Sequence, residues 1–421
     1  MTDADGRKFL TRLFEAAVKA ADPLEAIRPH LPERPKGRTV VIGAGKGAAQ
    51  MAAAFETLWD GPLEGVVATR YGYACPTRAL RVLEAAHPVP DTAGLEASAA
   101  LLRAVEGLGP DDLVVALICG GGSALLPAPP DGLTLQDEQA LNQALLASGA
   151  PISAMNAIRK QVSQIKGGRL AAAATPARVV SLVVSDVPGD DPAQVASGPT
   201  VPDRVTREHA IDLVAAYGIA LPPRISDWLA SHSADAPSPD DATFGAHEVA
   251  VVASAGLSLD AAAATAGEEG IPAVILSDAI EGEASDIGLM HAAIAREVAV
   301  RDRPFQKPVV ILSGGETTVT IRESGGRGGR NTEFLLAFSG ATEGIDVCAL
   351  AADTDGIDGS EDNAGAFSDG QSWARMRANG IDPAAALAGH DAWTAFSSIG
   401  DLFLPGPTGT NVNDFRAILL K

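Results

Sequence analysis

The chain has 421 residues, of which 46% are hydrophobic and 20% are charged. This length is enough for two or three domains, each with a substantial hydrophobic core. Acidic residues exceed basic ones by 53 to 32, and the net charge of −21 argues against a protein that binds the phosphate backbone of nucleic acids. The three cysteines are too far apart to form a C-x-x-C zinc or disulfide motif.

The N-terminal segment and the longest charge-free stretch both indicate a cytoplasmic protein. The first residues include two acids and lack the apolar core of a secretory signal peptide. The apolar residues from Phe9 to Val18 recur at helical spacing and predict an amphipathic first helix. Residues 113–130 carry no charge, but their three successive glycines and three prolines exclude a continuous membrane-spanning helix.

Short runs of β-branched residues alternate with Ala- and Leu-rich helical stretches, which is typical of an α/β fold with a mostly parallel sheet. Helices are predicted over 48–59 and 154–174, and residues 317–322 are expected to form part of a hairpin. A polar, proline-containing segment at 231–241 is the best linker and predicts domains 1–240 and 241–421. The predicted strands are 38–42, 65–69, 113–119, 178–184, 248–253, 272–276, 308–312 and 346–351.

The first candidate site is the sequence GAGKGA, which begins at Gly43 between a predicted strand and a predicted helix. With Gly45 it matches the G-x-G-x-x-A dinucleotide fingerprint. The acid expected about 20 residues later is absent, however, and Arg70 could at best accommodate a 2′-phosphate. A tight turn without a ligand also explains the glycines. Lys46 inside the loop favours an anion site, because such turns present backbone N–H groups to anions.

A second glycine-rich loop follows the predicted strand at 113–119, and it contains Gly120, Gly121, Gly122 and Ser123. Successive glycines let the backbone approach a ligand closely and form a nest of N–H donors. Two such loops, each at the end of a predicted strand, indicate a ligand site at the edge of the sheet.

A cation-rich helix and an acidic turn come next along the chain. Arg159 and Lys166 are predicted to share one helix face, which suits a phosphate or carboxylate, although a solvated surface is the alternative. Asp191 belongs to a carboxylate cluster after a strand, which suits Mg²⁺, although a helix cap is the alternative.

The C-terminal half contains a glycine-rich segment and a second carboxylate cluster. Glu316 follows a predicted strand, and the sequence GGRGGRN then presents Arg327 and Arg330 between glycines. An arginine placed in this way can stabilise a transferring phosphoryl group. We expect the loop to be mobile and Arg327 to be a solvated bystander. Asp355 lies in the second cluster, for which a Mg²⁺ site or a ribose contact is plausible.

The order of these motifs resembles that of a known family. GAGKGA, HPVPD, CGGGSALL, IRKQVSQIKGGRLA, SDVPGDDPAQVASGPT, SGGETTVT, GGRNTEF, ADTDGIDG and TGTNVND span residues 43–414. They are similar to the motifs of the glycerate 2-kinases with a MOFRL C-terminal domain, many of which are labelled hydroxypyruvate reductase. The resemblance implies an N-terminal Rossmann-like domain with a mostly parallel sheet and a MOFRL-type domain with a mixed sheet. Each domain would have three layers, with the active site in the cleft between them.

The resemblance also implies the reaction, which is the phosphorylation of D-glycerate to 2-phosphoglycerate by ATP with Mg²⁺. It assigns catalysis to Lys46 and Arg330. We add Asp191 as a catalytic residue and expect Asp191 and Asp355 to hold the metal. The residues expected to bind glycerate or the nucleotide are Gly43, Gly45, Gly120, Gly121, Gly122, Ser123, Arg159, Lys166, Ser197, Glu316, Asn331 and Asn413.

Two other functions stay open at this point. One is an NAD(P)-dependent hydroxypyruvate reductase, with Arg70 on the 2′-phosphate, and the other is a binding protein without activity. The residues favour the kinase because phosphoryl transfer needs cations, backbone N–H groups and metal-binding carboxylates, all of which are present. The partners expected are glycerate and a nucleotide, with no membrane and no nucleic acid. The oligomeric state, for which a homodimer is one option, is not determined by the sequence.

Overall fold

The computed structural model describes residues 3–231, 235–321 and 325–421. The chain forms two compact units, Pro23–Val252 and Met1–Asp22 with Ala253–Lys421. The first helix, α1 (Asp3–Ala20), therefore belongs with the C-terminal half, whereas the sequence placed it in a domain of residues 1–240. Its apolar face explains the difference, because Phe9 and Leu13 are fully buried in the core of the C-terminal unit.

The unit Pro23–Val252 is built on one six-stranded sheet in the order β3-β2-β1-β4-β5-β6, and the pairs from β3 to β5 are parallel. This is the strand order of a Rossmann-like fold, which confirms the fold predicted for this half. The order reverses between β1 and β4, so ligands are expected at the carboxyl ends of those two strands. The strands are β1 (Thr39–Ala44), β2 (Glu64–Arg70), β3 (Leu80–Ala85), β4 (Leu113–Cys119), β5 (Arg178–Val184) and β6 (His247–Ala253).

Helices connect these strands, and their bounds differ from the prediction at one place. The predicted helix over 154–174 is two helices, because Gly167 and Gly168 adopt left-handed conformations with φ of 63° and 83°. The helices are α2 (Pro23–Ile27), α3 (Ala48–Leu58), α4 (Thr92–Ala104), α5 (Gly122–Leu125), α6 (Leu135–Ala147), α7 (Ile152–Gln161), α8 (Arg169–Ala173), α9 (Arg207–Ala216) and α10 (Pro223–Ala230). Short 3₁₀ turns occur at Arg28–His30, Val195–Ser197 and Ala242–Phe244.

The C-terminal unit contains a mixed six-stranded sheet in the order β13-β12-β11-β14-β9-β7, in which only the β7–β9 pair is parallel. Two further strands, β8 and β10, form a separate two-stranded sheet. The strands of the unit are β7 (Ala273–Ile275), β8 (Gly282–Glu283), β9 (Val309–Gly315), β10 (Thr317–Thr318), β11 (Val347–Asp353), β12 (Gly365–Asp369), β13 (Leu402–Phe403) and β14 (Asp414–Leu420). Its remaining helices are α11 (Ala255–Glu268), α12 (Ala284–Arg301), α13 (Arg330–Ala341), α14 (Ser372–Ala378), α15 (Pro383–Ala388) and α16 (Ala392–Ser398).

Alternating residues of this mixed sheet face two separate cores, which gives the unit three layers. Val310 and Leu312 pack with α1 and α11, whereas Val309 and Ile311 pack with α12, α13 and α16. The predicted hairpin is wrong in its described part, because β10 pairs in parallel with β8. Arg322 of that prediction and residues 232–234 of the predicted linker lie outside the described residues. No helix in the described ranges is long and apolar enough to span a membrane.

Candidate active site

Two glycine-rich loops meet where the order of the parallel sheet reverses. The loop after β1 contains Lys46, whose backbone N–H donates to the carbonyl of Gly120 in the loop after β4 (2.8 Å). Gly45 has a φ of 139°, and a Cβ on it would lie 2.4 Å from the Cys119 carbonyl oxygen. Gly43 lies within β1, where a Cβ would lie 2.6 Å from the Leu117 carbonyl oxygen. The glycines of the first loop are therefore required by the close packing of the two segments.

The two loops differ in the backbone N–H groups that they leave for a ligand. The N–H groups of residues 45–48 all donate to acceptors within the protein, namely three carbonyls and the Cys119 sulfur. Those of residues 120–123 have no acceptor within the described chain. The pyrophosphate of a dinucleotide would need donors from the first loop, which are already used. The second loop is the one able to bind an anion.

The side chain of Lys46 extends over this second loop. A Cβ at Gly121 would lie 2.9 Å from Lys46 Cγ and 3.2 Å from His87 Nε2, so both side chains border the loop. The half-buried Lys46 forms no ion pair within 4 Å of a described carboxylate, and the carboxylate of Asp186 lies against Gly120 in the same loop. Burial, and then the charges of Lys46 and Arg70, lower the pKa of His87 to about 4. The imidazole is therefore neutral near pH 7, and the surroundings are electropositive.

A chain of polar side chains connects this loop to α7. The hydroxyls of Ser123 and Ser197 are 2.6 Å apart, and Ser197 donates to Asn156 Oδ1. Arg159 Nη1 donates to the same amide oxygen (3.0 Å), and burial lowers the pKa of this guanidinium. The structure therefore brings three predicted site residues, Ser123, Ser197 and Arg159, into one hydrogen-bonded network.

The ammonium groups of Lys166 and Lys160 are both paired with carboxylates inside the protein. Lys166 is 1% exposed, and its ammonium lies 2.8 Å from Glu138 Oε1 and 2.9 Å from the Leu126 carbonyl oxygen. Lys160 is fully buried against Asp203. The prediction that Arg159 and Lys166 share a helix face is wrong because α7 ends at Gln161. These lysines stabilise the turn between α7 and α8, and we assign Lys166 no contact with a ligand.

The C-terminal unit holds Arg330 within a cluster of carboxylates. Nε donates to Asp414 (2.6 Å), Nη2 to Asp353 (2.6 Å) and Nη1 to Glu316 (3.2 Å). The sheet produces this cluster, because Asp414 is paired with Asp353 on one side and with Gly315 on the other. Burial opposes the charge of Arg330, but the carboxylates outweigh it and raise the pKa of the guanidinium.

Asp414 is the centre of this cluster and is completely buried. It forms an ion pair with the buried Arg416 and accepts hydrogen bonds from Thr317 N–H (3.1 Å) and Asn331 Nδ2 (2.9 Å). Burial would raise the pKa of Asp414, but Arg416 and Arg330 reverse the effect and lower it. The pKa of Asp353 is raised well above its usual value, because burial and the other carboxylates outweigh Arg330. Asp414 therefore carries the negative charge on which both arginines depend.

The predicted site residues near Arg330 lie around the same cluster. A cavity of about 680 Å³ is lined by Glu316, Arg330 and the glycines before it. Asn331 lies in the first turn of α13, and its N–H donates to the buried Asp358 (2.9 Å). Asn413 has a φ of 67°, and its carbonyl accepts a hydrogen bond from Thr354 N–H (3.1 Å).

Arg327 is exposed, as the sequence predicts, and it is also anchored to the protein by several contacts. Its guanidinium stacks 3.5 Å from the centre of the Trp393 ring and pairs with Glu361. Its backbone carbonyl also accepts a hydrogen bond from Trp393 N–H (2.9 Å), and its N–H donates to Asp391. These contacts hold the glycine-rich segment against α16 and leave Arg330 as the arginine that borders the cavity.

Sequence and structure comparisons identify the family. A domain of unknown function, DUF4147, matches residues 9–230, and the MOFRL family matches residues 309–414. The D-glycerate 2-kinase of Thermotoga maritima is 37% identical over 97% of both chains. A crystal structure of glycerate kinase from the same organism covers 99% of this chain and all of its own, with a TM-score of 0.90 at 36% identity. The chain belongs to the glycerate kinase family. An Agrobacterium vitis protein with a provisional hydroxypyruvate reductase name is 52% identical over 99% of this chain and 95% of its own.

The two predicted metal ligands of this glycerate kinase family member, Asp191 and Asp355, each offer one carboxylate group. Asp191 is exposed and accepts a hydrogen bond from Ala193 N–H (3.0 Å), and Asp355 accepts one from Ile357 N–H (2.8 Å). In the described ranges, no group of three His, Cys, Asp or Glu side chains could hold a metal ion. Mg²⁺ in phosphoryl-transfer enzymes uses one or two carboxylates together with substrate phosphates, and both aspartates retain lone pairs for that role. Each aspartate, taken by itself, could therefore supply one carboxylate to a nucleotide-bound Mg²⁺.

Sequence reasoning gave no specific role to several groups at these two candidate sites. His87 lies in HPVPD, a motif that the resemblance uses but to which no chemistry was assigned. Asp414 is the last residue of TGTNVND, and Asp353 ends a strand; both were visible as acids without a known partner. Their partners become clear only from the strand register, which places Asp414 opposite Asp353.

Proposed function

We propose that this protein is a D-glycerate 2-kinase that transfers the γ-phosphoryl group of ATP to the 2-hydroxyl of D-glycerate with Mg²⁺. The observation that carries the proposal is the Lys46 side chain, which forms no ion pair within 4 Å in the described chain and extends over the free N–H groups of residues 120–123. Phosphoryl transfer is catalysed mainly by positioning and by positive charge around the phosphate oxygens. A relative that matches the whole chain carries the D-glycerate 2-kinase name.

Each group has a separate task in the proposed reaction. The N–H groups of residues 120–123 bind phosphate oxygens, and the ammonium of Lys46 stabilises the charge that develops on the transferred group. Arg330 is the second cation, and its three carboxylate partners fix the plane of its guanidinium before substrate binds. Mg²⁺ supplies charge neutralisation on the nucleotide phosphates, and Asp191 and Asp355 are the carboxylates proposed to hold it.

A hydroxypyruvate reductase is the second candidate, because a relative with 52% identity carries that name. The geometry favours it less, since the N–H groups of residues 45–48 are occupied. A coupled assay separates the two activities. The purified protein is incubated with D-glycerate, ATP and MgCl₂, and in parallel with hydroxypyruvate and NADH or NADPH. Phosphoglycerate formation without oxidation of the nicotinamide supports the kinase, and the opposite result would overturn it.

The assignment of Lys46 is tested by Lys46→Ala. We expect kcat to fall by about 10²–10³-fold, the usual cost of removing one group that stabilises transition-state charge. The thermal midpoint should not fall, because Lys46 forms no ion pair among the described residues and lies near the positive Arg70. Lys36→Ala, at an exposed lysine just before β1, is the matched control and should have unchanged kcat. A Lys46→Ala variant with wild-type kcat would refute the assignment.

A further inference from the structure

Arg70 is a cation near the Lys46 loop to which no function has been assigned. It ends β2, which pairs directly with β1, so it lies one strand from the start of the loop that carries Lys46. Its guanidinium stacks 3.6 Å from the centre of the Tyr73 ring. Its Nε is buried without an acceptor, and no carboxylate lies within ion-pair distance in the described ranges. A buried guanidinium N–H without an acceptor loses its hydration without compensation, which indicates a position for an anionic ligand.

Lys46 adds a second positive charge to this region, and the neutral imidazole of His87 lies beside it. The charges of Lys46 and Arg70 both lower the pKa of His87. Lys46 and His87 border Gly121 in the loop with free N–H groups. The region therefore offers two kinds of site: backbone donors and an ammonium near β4, and a planar guanidinium near β2.

We infer that Arg70, with His87 beside it, binds the carboxylate of the hydroxy-acid substrate and so directs its 2-hydroxyl to the Lys46 loop. This inference rests on the proposed kinase function. A guanidinium suits a carboxylate because it can donate two parallel hydrogen bonds, and stacking on Tyr73 limits its rotation.

The inference makes Arg70 responsible for two kinds of selectivity. It would distinguish glycerate from uncharged polyols such as glycerol, because only the acid can pair with the Arg70 guanidinium. It would also distinguish the 2-hydroxyl from the 3-hydroxyl, because the carboxylate anchors the substrate at one end. A residue with only a structural role would affect neither.

The experiment compares Arg70→Met and Arg70→Lys with the control Arg81→Met, at an exposed arginine on the neighbouring strand β3. We expect both Arg70 variants to raise KM for D-glycerate by about 10–100-fold, with KM for ATP within about twofold of wild type. D-Glycerate without ATP should stabilise the wild-type protein thermally but not Arg70→Met. ³¹P NMR of the product should show 3-phosphoglycerate appearing beside the 2-isomer in the Arg70 variants.

The outcomes separate this inference from the proposed function. A wild-type protein that does not phosphorylate glycerate refutes the kinase proposal itself. A kinase in which the Arg70 variants raise KM for ATP instead of glycerate shows that Arg70 binds the nucleotide, and overturns the inference alone. Unchanged kinetics and product ratio in Arg70→Lys, which retains the charge and avoids a gross folding defect, would overturn it as well.

Discussion

Replacing Asp414 by asparagine should destabilise the C-terminal unit severely. Asp414 and Arg416 both have fully buried side chains, and their ion pair is the closest contact of the Arg416 guanidinium with a carboxylate. The other acceptors of Arg416 are the Gly314 carbonyl and the Thr317 hydroxyl, both neutral. The amide of asparagine keeps the shape of the side chain, removes its charge and presents an NH₂ group to two arginines.

The expected loss is about 3–5 kcal/mol, the cost of removing one member of a buried ion pair. A folded domain is stable by only about 5–15 kcal/mol, so much of the stability of the unit would disappear. Urea unfolding followed by circular dichroism measures the loss. At a typical slope of about 1–3 kcal/mol per molar urea, the midpoint should fall by roughly 1–5 M. Asp346→Asn, at an exposed aspartate just before β11, should change stability by less than about 0.5 kcal/mol.

A second variant shows whether the unpaired charge is the cause. Asp414→Asn combined with Arg416→Met removes both charges, and we expect it to recover part of the stability, because apolar replacements of buried ion pairs are tolerated. A loss below about 1 kcal/mol in Asp414→Asn, or no recovery in the double variant, would show that Arg416 does not depend on Asp414.

Three further predictions concern the catalytic arginine, the metal and pH. Arg330→Lys should lower kcat by at least about tenfold, because an ammonium cannot contact three carboxylates as the planar guanidinium does. Arg327→Ala should keep kcat/KM for glycerate within a few-fold of wild type while lowering the thermal midpoint. Equal kinetic losses in the two variants would contradict the assignment of Arg330 as the catalytic arginine. Asp191→Asn should raise the MgCl₂ concentration needed for half-maximal rate, whereas an unchanged value would assign Asp191 to capping its turn. Burial lowers the pKa of His291 to about 4. The unfolded chain therefore binds a proton at this site first as pH falls below about 6.5, and up to about 3 kcal/mol of stability is lost by pH 4. Urea midpoints of His291→Gln should depend less on pH than those of the wild type, and an equal dependence would contradict this reasoning.

The glycine-rich loops of the parallel sheet were predictable because their signal is local. Each loop follows a run of β-branched residues, and strand β4 has the bounds predicted for it. Lys46 lies in one of these loops, so its position at the end of a strand could also be predicted from the local sequence. A helical pattern, in contrast, cannot distinguish a lysine paired inside the protein from one that binds a ligand, and Lys166 proved to be paired with Glu138.

Contacts between distant parts of the chain could not be predicted from the sequence patterns. Arg330 and Asp414 are 84 positions apart, and their contact depends on the antiparallel register of β14 with its neighbours. The sequence indicated an arginine delivered by glycines and several acids at strand ends, without indicating that they neutralise one another. The stacking of Arg327 on Trp393 is another such contact. A glycine-rich sequence predicts a mobile segment, and only the tertiary partners show that it is anchored.

The position of α1 affects how the chain can fold during synthesis. This helix is synthesised before the strands and the helix α11 against which Phe9 and Leu13 pack, because those elements come from residues beyond 253. Its apolar face must stay unsatisfied while the whole of Pro23–Val252 is made, and that intervening unit can fold before the first helix has a place to bind. The N-terminal helix is thus one of the last pieces to be completed, and a nascent chain stalled before residue 253 would expose a hydrophobic helix suited to capture by a chaperone.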